Sequence, residues 1–237
     1  MIKQIPSENM WKSNLGWLKS NFHFSFAEYY NEKNINFGVL RVVNDDVISP
    51  GKGFDEHPHI DIEILSYVIR GKLSHKDSTG KKAVLEKGEV QYMSAGTGIS
   101  HSEYNNSDED LRFIQLMILP NVIGKKADYK NFKFKWEERV NKFFHIASEK
   151  NGNAPVKVNQ DINIFAAEIE KNKNLHFEIK EKRQAYLIQA EGASLINNRY
   201  VTKEKDGLQA IGESLDIMAL NKSHILIVEM KERMDLK

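Results

Sequence analysis

Two short stretches hold residue types that could do metal chemistry. "EHPHIDIE" places His57 and His59 on either side of Pro58, with Glu63 close behind, and "ISHSEYN" places His101 two residues before Glu103. A strand turns successive side chains to opposite faces, so in extended chain each pair points one way. Pro58 cannot donate to a sheet ladder, which assigns its segment to a strand end, an edge or a bulge. Taken alone, the first pair is more simply two solvated histidines. The second pair changes the reading: across a small barrel, the two pairs give three imidazoles and one carboxylate. Four such ligands leave two positions open on an octahedral ion, for water, substrate or dioxygen. A closed structural site leaves none, so the set favours catalysis. The donors suit first-row divalent ions: iron, nickel, copper, zinc, manganese and cobalt.

These residues must be positioned by strands. "FGVLRVV" (37–43), "IEILSYVIRG" (62–71) and "LRFIQLMIL" (111–119) are rich in β-branched and large apolar residues, and Gly, Asn, Asp and Ser clusters bound them. Such short strands and turns predict an all-β sandwich or barrel with few short helices. The best helix signal is 134–146, where Trp136, Val140 and Phe143 recur at helical spacing. Gly96 and Gly98, just before His101, suit a tight turn or a close backbone approach. Met93, Phe113, Gln115 and Met117 have inward spacing and are expected to line or fill the barrel. Trp11 and Trp17 read as core, and His23 as a satisfied core histidine.

The second half echoes the first. "SYVIRGKL" at 66–73 resembles "AYLIQAEG" at 185–192, and each half closes on an apolar strand, "RFIQLMI" and "HILIVEM". A duplicated β-unit is expected. The polar stretch "SEKNGNAPVKV" marks the boundary, giving domains 1–147 and 148–237.

The 237 residues can bury a real core, and 41% hydrophobic with 28% charged residues reads as soluble and globular. With 34 basic against 33 acidic residues the net charge is +1, and no basic stripe argues for direct nucleic-acid contact. There is no cysteine, so disulfides are absent and any metal needs nitrogen and oxygen ligands. No stretch has the apolar length of a secretory signal or a membrane span, so a cytoplasmic protein is expected.

Gly51, His57, His59, Glu63 and Gly71 have the spacing of the first cupin motif, and Gly88 through His101 resembles the second. The second departs from the common pattern: "SAG" stands where Pro-x-Gly is usual, and four residues rather than two precede His101. Those departures, with "HPHIDIEILSYVIRG", "GEVQYMSAGTGISHSEYN" and "FHFSFAEYYN", resemble the pirin family, and most closely its bacterial quercetin 2,3-dioxygenase-like members. The resemblance implies a bicupin of two stacked β-barrels, with metal only in the N-terminal one. It places the family's ligands on His57, His59, His101 and Glu103, and leans towards iron(II). It further implies oxidative ring opening of a flavonol such as quercetin, with dioxygen consumed and carbon monoxide released, and Glu103 as general base. The alternative is a non-enzymatic, metal-sensing regulator that meets a protein partner. A monomer is expected.

Counting from the echoed Tyr186 and Gln209, the second half offers His176, Glu178, Ala219 and Asn221 where ligands would stand, so no metal is expected there. His176 and His224 read as ordinary surface or packed histidines. Glu63 reads either as a hydrogen-bond partner of a ligand imidazole or as an outward strand residue. His75 and Asp77, in "SHKDSTG", read first as turn chemistry, with a place near the pocket as the alternative for His75.

Overall fold

In the computed structural model, residues 1–232 are described. They divide into two compact units, one of residues 11–134 and one of residues 1–10 with 135–232. The strands are β1 (Ile2–Ile5), β2 (Trp11–Asn14), β3 (Leu18–Phe22), β4 (Leu40–Ile48), β5 (Lys52–His59), β6 (Glu63–Arg70), β7 (Leu73–Asp77), β8 (Lys82–Leu85), β9 (Val90–Ser94), β10 (Ile99–Asn105), β11 (Leu111–Ile118) and β12 (Asp128–Phe132). They continue as β13 (Phe144–Glu149), β14 (Val156–Val158), β15 (Ile162–Ile169), β16 (Asn174–Phe177), β17 (Arg183–Glu191), β18 (Ala193–Ile196), β19 (Tyr200–Lys203), β20 (Gly207–Ile211), β21 (Leu215–Ala219) and β22 (Ser223–Lys231).

Each unit builds a cupin from a seven-stranded and a four-stranded sheet. The first has the orders β12-β9-β6-β11-β4-β3-β2 and β5-β10-β7-β8. The second has β1-β20-β17-β22-β15-β13-β14 and β16-β21-β18-β19. The runs β9-β6-β11-β4 and β5-β10-β7-β8 recur as β20-β17-β22-β15 and β16-β21-β18-β19, so the echo in the sequence is a repeat of topology. The unit limits differ from the expected 147/148 division. β13 pairs antiparallel with β15, which draws residues after 134 into the second unit, and β1 pairs with β20.

Alternating hydrophobicity explains the cores. In the first unit Leu18, Ile48, Val68, Leu73, Leu111 and Phe113 form one buried cluster, and Val42, Ile64, Met93, Met117 and Tyr129 belong to another. Met93, Phe113 and Met117 therefore fill the barrel as their spacing predicts. Two expectations fail. The helix over 134–146 is a single 3-10 turn, Trp136–Arg139, followed by β13. Phe144, His145, Ala147 and Ser148 pair with β15, and cross-strand pairing outweighs a weak helical stripe. Trp11 is not core: it is 46% exposed and stacks on Tyr29, whereas Trp17 packs against the first cluster.

Candidate metal centre

The small sheet of the first unit carries the site. Its middle strand β10 alternates cleanly: Ile99, His101, Glu103 and Asn105 are buried, while Ser100, Ser102 and Tyr104 are half-buried. The neighbours are set by register. His101 opposes His57 on β5 and Asp77 on β7, and Glu103 opposes Phe54 on β5 and His75 on β7. A register shift between His101 and Glu103 marks a bulge in this pairing. The bulge brings Phe54, an odd number of residues from His57, onto the same inner face, where it packs against the Leu18–Phe113 cluster. Pro58 faces outward on β5, an edge strand, as its missing donor requires.

Two glycines permit this geometry. A Cβ on Gly53 would meet the Glu103 carbonyl oxygen and the Tyr104 backbone. Gly96 has φ +47° and lies against the Lys125 carbonyl, in the turn where Gly98 N–H donates to the Ala95 carbonyl at 2.9 Å.

His57, His59 and His101 converge, each offering a ring nitrogen within 4.8 Å of the others. Glu103 falls in an overlapping trio with His101 and His75, whose ligand atoms also lie within 4.8 Å of one another. His101 belongs to both trios and so links His57 and His59 to Glu103 and to His75, whose sequence context reads first as a turn. His59 Nε2 and both ring nitrogens of His101 are buried without a hydrogen-bond partner. Burial, then His101 and His57, push His59 down to about 4; burial, then His57 and His75, push His101 down to about 3. Both rings are neutral near pH 7 and present lone pairs. His57 Nδ1 lies 2.8 Å from the Asp55 carbonyl; a carbonyl only accepts, so Nδ1 donates and Nε2 carries the lone pair. Buried, neutral, unpartnered imidazole nitrogens are what a divalent cation would satisfy, and the donor set fits one.

The carboxylate is held from the facing sheet. Ser66 on β6 opposes Gln91 on β9 and Gln115 on β11, and this polar row meets Glu103. Oε1 accepts from Gln91 Nε2 and from Ser66 Oγ at 3.3 Å, and Oε2 accepts from Gln115 Nε2 at 2.9 Å. Gln91 Oε1 accepts in turn from the Tyr129 hydroxyl at 3.3 Å. Inward spacing points to Gln115. Gln91 and Tyr129 carry no local signal, because their roles depend on pairing across the sheet.

His75 is not turn chemistry. It is 3% exposed, stacks on Tyr129 with centroids 3.9 Å apart, and lies 5.4 Å from the His101 ring. Asp77 does both jobs: Oδ1 accepts from the Thr79 and Lys81 backbone in the turn, and Oδ2 lies 3.2 Å from His75 Nε2. Burial pushes the Asp77 carboxyl up, but hydrogen bonds from Thr79, His75 and the turn backbone bring it below its ordinary value. Glu63 is buried, not outward, and accepts from the Tyr92 and Ser94 hydroxyls. His23 is buried as expected. Ser74, Lys76, Ser102 and Tyr104 alternate with the inward residues and line a groove of about 730 Å³.

The second unit is built differently at this place. In the β16–β21 pair, Phe177, Leu215, Ile217 and Ala219 are buried in its apolar cluster. His176 is exposed and pairs with Asp216 at 2.7 Å; His224 is buried, packed edge-on against Trp136 and 3.1 Å from Glu191. Both metal-competent trios among the described residues lie in the first unit.

The pirin family profile matches residues 5–118, and the quercetinase C-terminal cupin domain matches 145–230. A pirin-like protein of Caulobacter vibrioides is 35% identical over 231 residues, 97% of this chain and 99% of its own. The chain belongs to the pirin family. A quercetin 2,3-dioxygenase of Escherichia coli K12 is 37% identical over 220 residues, 92% of this chain and 94% of its own. The crystal structure of the bacterial pirin YhhW of Escherichia coli in complex with nickel(II) superposes with a TM-score of 0.91 at 35% identity, covering 98% of this chain and all of that one.

Proposed function

We propose that this pirin is a metal-dependent dioxygenase that opens the ring of a flavonol such as quercetin and releases carbon monoxide. One divalent ion, iron(II), is held by His57, His59, His101 and Glu103. The observation that carries the reading is the set of buried imidazole nitrogens without partners where the His57/His59 pair meets His101 of the His101/Glu103 pair. The name of the Escherichia coli relative supports the reaction class, and nickel(II) in the related crystal supports a first-row divalent ion.

When bound, the ion supplies a Lewis acid that lowers the pKa of a coordinated hydroxyl. The side chains do the rest. His57 is oriented by the Asp55 carbonyl, which turns Nε2 inward. Gln91, Ser66 and Gln115 hold the Glu103 carboxylate in one orientation. Oε2 carries a single donor, so it has room to accept the flavonol proton as general base. Phe54 packs on the cluster of Leu18 and Phe113, and Met93 and Met117 belong to the cluster of Ile64 and Tyr129, which makes the interior of this unit largely apolar.

The test is oxygen uptake and carbon monoxide release when quercetin meets metal-free protein reconstituted with iron(II), beside nickel, cobalt, manganese, copper and zinc. Turnover with one carbon monoxide per dioxygen, greatest with iron(II), is expected. A protein that takes up these ions yet turns over with none of them would overturn the reaction and leave a metal-binding regulator. Glu103→Gln separates the roles: activity should fall further than metal content, and equal losses would reduce Glu103 to a ligand.

A further inference from the structure

We propose that His75 completes a second metal seat with His101 and Glu103, overlapping the first but lying wholly in the buried interior. The proposal rests on the reading that this barrel binds a divalent ion, and it concerns where that ion can sit.

Three independent features single out His75. The first is proximity: its ring offers a ligand atom within 4.8 Å of both His101 and Glu103, and the three residues are 3%, 1% and 1% exposed. Strand register produces this, because His75 directly opposes Glu103 across β7 and β10. The second is tautomer. A carboxylate oxygen accepts, so Nε2 donates to Asp77 Oδ2, which leaves Nδ1 as the other ring nitrogen. That nitrogen is buried without a hydrogen-bond partner. An imidazole backed by a carboxylate, with its other nitrogen open, is the usual arrangement of a metal-ligating histidine. The third is rigidity: Tyr129 stacks on the ring at an interplanar angle of 8°, and Tyr129 is tied through Gln91 to Glu103.

The two seats differ in chemistry. The first seat, as proposed above, joins Glu103 to the imidazoles of His57, His59 and His101, two of which are half-buried. His75, His101 and Glu103 are two imidazoles and a carboxylate, the donor set of non-haem iron(II) oxygenases with open positions. His101 serves both, and each of its ring nitrogens is free of a protein partner.

Cobalt(II) binding to the full chain tests this, followed by visible absorption and by paramagnetically shifted imidazole N–H signals in the proton spectrum. Unaltered protein should bind cobalt(II). The double variant His57→Ala/His59→Ala should still bind it, more weakly, with shifted imidazole signals retained. Adding His75→Phe, which keeps a ring on Tyr129, should abolish binding. If the double variant loses cobalt(II) as completely as the triple variant, the second seat does not exist and the four-ligand site stands. If unaltered protein binds no cobalt(II), iron(II) or nickel(II), the metal reading itself fails. Circular dichroism checks each fold, and His57→Gln/His59→Gln repeats the comparison should the alanine pair prove unstable.

Discussion

Glu103 and His75 lie directly opposite one another on adjacent antiparallel strands, both sealed from solvent. A carboxylate and an imidazole that share one buried row are held there by partners from the neighbouring strands. Those partners are Gln91, Gln115 and Ser66 for the acid and Asp77 and Tyr129 for the base. The geometry of the centre is therefore set as much by the facing sheet as by the sheet that bears the ligands.

Gln91→Leu should show this. The change removes a donor to Glu103 and the acceptor for the Tyr129 hydroxyl. Each unmatched buried group costs about 1–3 kcal/mol, so the urea midpoint should fall. Quercetin turnover should fall by roughly 10–100-fold, the usual effect of losing a group that orients a metal ligand. Unchanged turnover at full metal load would show that Gln91 does not position Glu103.

His101→Leu should separate stability from function. Both ring nitrogens are buried without a hydrogen-bond partner in the protein, so only a bound ion would satisfy them. Replacing them with an apolar side chain of similar size removes that penalty, so the metal-free variant should be more stable by about 1–3 kcal/mol. The same variant should lose metal uptake, because His101 belongs to both trios. Thermal unfolding with and without chelator reads both outcomes; a large destabilisation of the metal-free form would contradict the argument.

Gly96→Ala should damage the turn that delivers His101. The added methyl would collide with the Lys125 carbonyl oxygen, and φ +47° disfavours any side chain. A loss of more than about 1 kcal/mol is expected from the conformation alone, with the clash added. Metal affinity should fall with it. A variant as stable as the parent in a denaturant titration would mean that the turn tolerates a Cβ.

Metal removal should lower thermal stability. An ion present at about 100 times its dissociation constant stabilises the folded state by about 2.7 kcal/mol. At ~2–4 °C per kcal/mol for a chain of this size, chelation should shift the midpoint by roughly 5–10 °C. His57→Ala/His59→Ala should show a smaller shift. Identical melting curves with and without chelator, after metal content has been verified, would argue against ligation in the folded state.

Much of the centre is legible along the chain. The period-2 placement of His57 with His59, and of His101 with Glu103, commits each pair to one face of a strand. Pro58 marks an edge, and the echo between the halves marks a repeated topology. These are local properties: alternation and proline chemistry act within a few residues. Register is not local. The opposition of His101 to His57 and of Glu103 to His75, and the bulge that turns Phe54 inward, join residues tens of positions apart. "SHKDSTG" reads equally well as a turn, which Asp77 does form, and nothing within it says that His75 will face His101. For the same reason the stripe at 134–146 misleads, since pairing with β15 outweighs a marginal helix. Residue type and spacing thus decided which side chains could ligate an ion. Cross-strand register decided which of them meet, because the free energy that fixes it comes from burying one face of every strand at once.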